Sequence, residues 1–261
     1  MSTILLTVAY DGTPFSGWAK QEGVRTVAGE LLGAIQAMDP SVVEVRGASR
    51  TDAGVHARGQ LAVFDTNRDI APKGWALGLS AHLPAEIAIR QAAGAPSGSD
   101  PRTFAMRKHY RYLVLRDDLR DPFWERRALR FSHQLDIHAL RQEARALVGT
   151  YDFAAFRSSA DVRTNTVRTI EEVRVEHLPG DSRVLAIDVV GNAFMHNMVR
   201  IIVGTLLDVA SRRLSPGAIE RGLATKSRAD LGITAAAQGL YLESIEHGLA
   251  LEDTWPYHPA P

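Results

Sequence analysis

Apolar and polar positions along the chain change period several times, and each change marks an element. Over residues 3–11, Leu5, Thr7 and Ala9 alternate with Leu6, Val8 and Tyr10, the period-two pattern of a strand. Asp11-Gly12-Thr13-Pro14 ends it. Thr26 suits the N-cap of a helix over 28–38 that turns Leu31, Leu32 and Ile35 inward. Val43 and Val45 alternate, a stretch with Gly47, Ala48, Ala53 and Gly54 follows, and Leu61-Ala62-Val63-Phe64 resumes. That reads as strand, sharp connection, strand, with Asp52 near the tip. A helix is predicted over 73–83, stopped by Pro84, then a short strand Ile87-Ala88-Ile89 and a turn-rich loop over 94–101. In a strand over 108–115, Tyr110, Tyr112 and Val114 face one way and Arg111, Leu113 and Leu115 the other.

The second half repeats the theme without a visible sequence repeat. Residues 117–124, charged and ending near Pro122, suit a joint, which places one domain at 1–116 and another at 117–261. An amphipathic helix over 136–148 precedes Tyr151-Asp152-Phe153-Ala154-Ala155-Phe156 and a loop bearing Arg157, Ser158, Ser159, Arg163 and Thr164. Strands over 169–176 and 183–190 flank a Pro179-Gly180 turn, a helix over 194–210 is apolar nearly all round, and a last strand runs over 240–245. Mixed elements in this order predict an α+β protein of two similar-sized units, each an antiparallel sheet with helices packed on one face.

At 261 residues, with 45% hydrophobic and 23% charged residues, the chain has the composition of a globular protein. No apolar run reaches the roughly 20 residues that span a bilayer. The N-terminus has neither a basic lead nor a signal-type cleavage site, so a cytoplasmic location is expected. Cysteine is absent, which removes disulfides, thiolate metal sites and cysteine nucleophiles. Net charge is zero, but charge is unevenly placed: Arg102, Arg107, Lys108 and Arg111 fall in a stretch without acids, interleaved with Tyr110 and Tyr112. Only four of the 30 basic residues are lysine. Arginine suits phosphate forks and base stacking, although an Arg- and Ala-rich chain equally reflects a GC-rich genome. No phosphate-cradling loop or dinucleotide fingerprint is present.

Candidate chemistry gathers at two places. Asp52 sits among Gly47, Ala48, Ala53 and Gly54, so a planar ligand can approach its carboxylate, and Gly54 permits a positive φ. An Asp beside Gly is also a common turn residue, and Asp52 with His56 could share a helix face as metal ligands, although nothing nearby completes a set. Arg200 lies mid-helix between Val199 and Ile201. A guanidinium there needs a carboxylate or several carbonyls, or must snorkel to the surface. Asp52 needs such a cation, and an Asp52–Arg200 ion pair is expected.

Arg50-Thr51-Asp52-Ala53-Gly54-Val55-His56 closely resembles the signature of the tRNA pseudouridine synthase A family, whose aspartate is catalytic. Three further stretches agree: Phe15-Ser16-Gly17-Trp18; Arg107-Lys108-His109-Tyr110-Arg111-Tyr112; and Asn192-Ala193-Phe194-Met195-His196-Asn197-Met198-Val199-Arg200. Gln238-Gly239-Leu240-Tyr241-Leu242 is similar to the family's closing strand, so the resemblance runs from about residue 8 to 242. Ala19 and Thr103 depart from it, standing where Gln and Phe are usual.

The resemblance implies a duplicated ferredoxin- or RRM-like arrangement with a catalytic cleft between the units. It implies conversion of uridine to pseudouridine in the anticodon arm of tRNA, at positions 38, 39 and 40. Asp52 would be the catalytic residue, with Tyr110 and Arg200 beside the substrate; Arg50, next to Asp52, is a candidate for filling the space that the flipped base vacates or for gripping the adjacent phosphate. Arg58, Arg107, Lys108 and Arg111 are candidate RNA contacts. No metal or organic cofactor is implied, and the partners would be tRNA and a second copy of the chain. Two other readings remain: a non-catalytic RNA-binding module stacking bases on Tyr110 and Tyr112, and a small-molecule hydrolase using Asp52 as base, for which no second acid is evident.

Overall fold

The opening alternation becomes β1 (Ser2–Tyr10) in a computed structural model describing residues 2–161 and 164–256. The chain divides into two units, Met1–Met106 with Leu242–Pro261, and Arg107–Tyr241. In the first, α1 (Val27–Met38) starts at Thr26, whose hydroxyl accepts the Gly29 amide at 3.3 Å, and it buries Leu31, Leu32 and Ile35 as expected. β2 (Arg46–Gly47), β3 (His56–Thr66), α2 (Pro72–His82), β4 (Ile87–Ala95), α3 (Pro101–Phe104) and, much later, β11 (Glu252–Pro256) follow. The strands run in the order β11-β4-β1-β3, antiparallel, with β2 attached to β3.

Two strand boundaries differ from the sequence expectation. Val43 is 80% exposed and only Arg46 and Gly47 reach the ladder, because two alternating valines are too short a signal without a facing strand. β4 continues to Ala95 because β1 offers partners along its length, from Tyr10↔Ile87 to Thr3↔Ala95. Behind the sheet α2 packs on β4, and Trp75 meets Phe64 edge to face at 4.9 Å.

The second unit contains β5 (Ala105–Leu115, beginning at the boundary), β6 (Leu129–Arg130), α4 (Ile137–Arg145), β7 (Gly149–Asp152), β8 (Val167–Leu178), β9 (Asp181–Gly191), α5 (Met198–Ala210) and α6 (Ala218–Thr225). β10 (Leu240–His247) carries the chain back to the first unit. The sheet order is β5-β9-β8-β7, antiparallel, with β6 running parallel to β5. Asp136 caps α4 by accepting the Ala139 amide at 3.0 Å, and α4 packs on β8 and α5. Leu113, Leu115, Val184, Ala186 and Tyr241 form a buried cluster on one side of β5 and β9. The protein is thus α+β, each unit holding an antiparallel sheet with helices packed against it.

Residues 117–124 are not where the chain divides. Arg183 binds Asp117 and Asp121 at 2.9 Å and Asp181 at 2.8 Å, and Trp124 Nε1 donates to Asp181 at 3.0 Å. These bonds tie the stretch to the β8–β9 hairpin. The division falls after residue 106 rather than 116, so Tyr110 lies in the second unit, and Leu242–Pro261 belongs with the first. α5 begins at Met198 rather than 194, because Asn197 takes a left-handed conformation with φ 63°. Arg163 of the expected Arg-, Ser- and Thr-rich loop lies outside the described residues. Among the described residues no helix is long and apolar enough to cross a membrane.

Candidate active site

The connection between β2 and β3 is a short irregular stretch held on both sides. Thr51 is buried and shares a 2.7 Å hydrogen bond with the Tyr10 hydroxyl. Its carbonyl accepts the Trp18 amide at 3.0 Å. Gln60 is fully buried in β3; its side-chain amide donates to the Ser49 carbonyl at 2.6 Å and accepts from the Ser49 amide at 3.2 Å. Gly54 takes φ +76° and Gly17 takes φ +92°, both in the region that favours glycine. At Gly17 an added Cβ would stand 2.7 Å from the Thr51 carbonyl oxygen and 3.3 Å from the Asp52 carbonyl carbon. Trp18 lies 6.1 Å from the Tyr10 ring.

Fixed residues thus surround Asp52, which is itself half-buried between an exposed Arg50 and an exposed Ala53. The Asp52 carbonyl accepts the Val55 amide at 3.1 Å, which closes the turn through the backbone. Residues 51–55 are not helical, so Asp52 and His56 share no helix face and the two-ligand metal reading loses its geometry. His56 is buried, and its Nδ1 accepts the Gly12 amide at 3.1 Å. Its 3.2 Å approach to Asp11 is the weaker description, since that nitrogen already acts as an acceptor.

In the second unit every residue of α5 is buried except Arg200, which is half-buried. Its Nε donates to the Ala235 carbonyl at 2.7 Å and its Nη1 to Asn197 Oδ1 at 2.8 Å. These two contacts fix the orientation of the guanidinium. Tyr110 is 6% exposed and meets Phe194 edge to face at 5.0 Å. Tyr112 is wholly buried and donates to the Ala236 carbonyl at 2.7 Å. Burial pushes its phenol well above the usual range, against the opposing charge of Arg200, so Tyr112 is a core residue and stays protonated.

The candidate RNA-contacting cations divide by environment. Arg50 and Arg58 are exposed, Arg58 lying 3.6 Å from Glu243. Arg107 pairs with Glu171 at 2.8 Å, and Lys108 is half-buried. Arg111 forks onto Asp188 at 2.8 and 3.2 Å, and His109 meets the same carboxylate at 2.6 Å. Burial raises the Asp188 pKa, but hydrogen bonds from His109 and Arg111 outweigh it and hold the carboxyl below the ordinary range. Sequence reasoning missed Asp188, Gln60 and Thr51 as supports. A polar residue amid apolar strand positions was the available signal for Asp188 and Gln60; for Thr51 the signal was its hydroxyl next to Asp52, without a partner named. At the departures, Ala19 is half-buried, while Thr103 is exposed and the neighbouring Phe104 ring meets His247 at 5.8 Å.

Comparison with known proteins agrees with this geometry. Residues 6–98 and 144–247 match the tRNA pseudouridine synthase family. The tRNA pseudouridine synthase A of Geobacter sulfurreducens is 38% identical over 245 residues, covering 94% of this chain and 99% of that protein. The corresponding protein of Geobacter sp. strain M21 is 41% identical over 246 residues, covering 94% and 98%. That of Bacillus subtilis is 39% identical over 242 residues, covering 92% and 96%. Likeness of this extent, spanning both the aspartate loop and the arginine helix, shows that the chain belongs to the tRNA pseudouridine synthase family and is an isomerase acting on tRNA.

Proposed function

We propose that the protein isomerises uridine to pseudouridine at positions 38, 39 and 40 in the anticodon arm of tRNA, in the cytoplasm, with Asp52 as the group that acts at the ribose. The observation that carries this reading is the aspartate loop: Thr51 tied to Tyr10 and Trp18, holding a half-buried Asp52. The target base leaves the stack so that its glycosidic bond becomes accessible, and Arg50 takes the vacated space or grips the adjacent phosphate. Asp52 either adds to C1′ as N1 leaves or removes the C2′ proton as N1 leaves. The uracil rotates and a C1′–C5 bond forms, in the first route by displacing Asp52 from C1′, in the second with return of the proton to C2′. C5 then loses its proton and N1 gains one.

Arg200 supplies the counter-charge to Asp52, and Tyr110 stacks on the uracil and assists removal of the C5 proton. Arg58, Arg107, Lys108 and Arg111 contact the RNA backbone, Arg107 and Arg111 while also holding Glu171 and Asp188. Two copies of the chain share one tRNA, which joins local arginine strips into a groove although net charge is zero. With tRNA carrying tritium at uridine C5, the wild-type protein is expected to release label from positions 38–40. Asp52→Asn is expected to bind tRNA and release none. Absence of release by wild-type protein on competent tRNA would falsify the assignment. Size-exclusion chromatography with tRNA is expected to show a dimer, and a monomer at micromolar concentration would remove that part.

A further inference from the structure

We propose that Asn197 is a positioning residue that aims the Arg200 guanidinium and thereby sets the rate of the chemical step; this rests on the reading that Arg200 serves Asp52. Asn197 occupies the position preceding α5, where an Asn side chain ordinarily accepts from the first helix amides. Here it makes no such cap. Its backbone is left-handed, φ 63° and ψ 3°, and Oδ1 instead accepts from Arg200 Nη1 at 2.8 Å. The helix start gives up a side-chain cap, and the arginine one turn along gains an acceptor.

A guanidinium is a planar fork. Once Nε is bound to the Ala235 carbonyl and Nη1 to Asn197, rotation about the Cδ–Nε bond is stopped and the direction of Nη2 follows from planarity. Both supports are themselves fixed. The Ala235 amide returns a bond to the Arg200 carbonyl at 3.0 Å. Next to Asn197, the His196 amide donates to Asp161 at 3.0 Å, and the His196 carbonyl accepts the Ser158 amide at 3.0 Å. Arg111 shows the alternative: there the supporting acceptor is a carboxylate, Asp188, which answers the charge as well as orienting it. At Arg200, Asn197 and a peptide carbonyl supply two neutral contacts that fix the plane of the fork.

Asn197→Gly separates positioning from folding, because glycine accepts the left-handed backbone without strain and lacks only the acceptor. The expected result is an unchanged or raised melting temperature, tRNA affinity within about 2-fold, and a single-turnover rate lowered about 10-fold or more, since small misplacements of catalytic groups cost this much. In an Arg200→Lys background, which lacks the fork, Asn197→Gly is expected to have no further effect. A wild-type rate for Asn197→Gly would overturn the inference, as would an equal rate loss in both backgrounds or a fall in melting temperature that accounts for the loss. A wild-type rate for Arg200→Lys alone would instead remove the role of Arg200 in the proposed function.

Discussion

Gly17→Ala tests whether the Asp52 loop is held in place by its neighbours. Gly17 sits at φ +92°, where a residue with a Cβ is disfavoured by about 1–2 kcal/mol. The new methyl would also stand 2.7 Å from the Thr51 carbonyl oxygen, the acceptor of the Trp18 amide, and overpacking of this kind costs about 1–3 kcal/mol. Together these terms come to about 3 kcal/mol. At about 2–4 °C per kcal/mol for a chain of this size, the melting temperature should fall by about 6–12 °C. The same methyl presses on the Asp52 peptide, 3.3 Å away. At a temperature where the variant is fully folded, tritium release should therefore slow about 10-fold or more while tRNA binding is retained. Circular dichroism melts, filter binding and single-turnover label release measure the three quantities. A melting temperature within one or two degrees of wild type, together with an undiminished rate, would refute the reasoning.

Tyr10→Phe removes the hydroxyl that bonds Thr51; a loss of about 1 kcal/mol in urea titration is expected, with a larger proportional loss of single-turnover rate than of tRNA affinity. Gly204→Ala puts a methyl against the Ile233 carbonyl and displaces the segment whose Ala235 carbonyl holds Arg200; a loss of about 2 kcal/mol or more is expected, with slower label release at temperatures where the variant is folded. Asp188 has a depressed folded pKa, so its stabilisation is present above the unfolded value of about 3.9 and fades as pH falls through the lower folded value. Asp188→Asn should therefore melt lower than wild type at neutral pH, by the equivalent of about 1–2 kcal/mol given the partial exposure of its partners. The gap should close below about pH 4; a gap that widens on acidification would contradict the assignment.

Where an element depends on its own residues, the sequence was sufficient. The Thr26 cap, the stop before Pro84 and the Pro179-Gly180 turn, with Gly180 at φ +89°, all stand where local chemistry puts them. Elements that depend on a distant partner were misread. Val43 and Val45 found no facing strand, β4 ran on because β1 was there to pair with it, and the charged stretch at 117–124 was secured by Arg183 from another hairpin.

Sequence by itself determined the residue types, the caps and turns, the α+β class and the family. Only tertiary structure decided which side chains support one another: Thr51 on Tyr10, Gln60 on Ser49, Arg111 and His109 on Asp188, and Arg200 between Asn197 and the Ala235 carbonyl. The reason is that propensity and period act over a few residues, whereas a buried polar group is satisfied by whatever the fold brings within about 3 Å of it. Positions such as 60 and 188 therefore carry no legible role until the strands around them are paired.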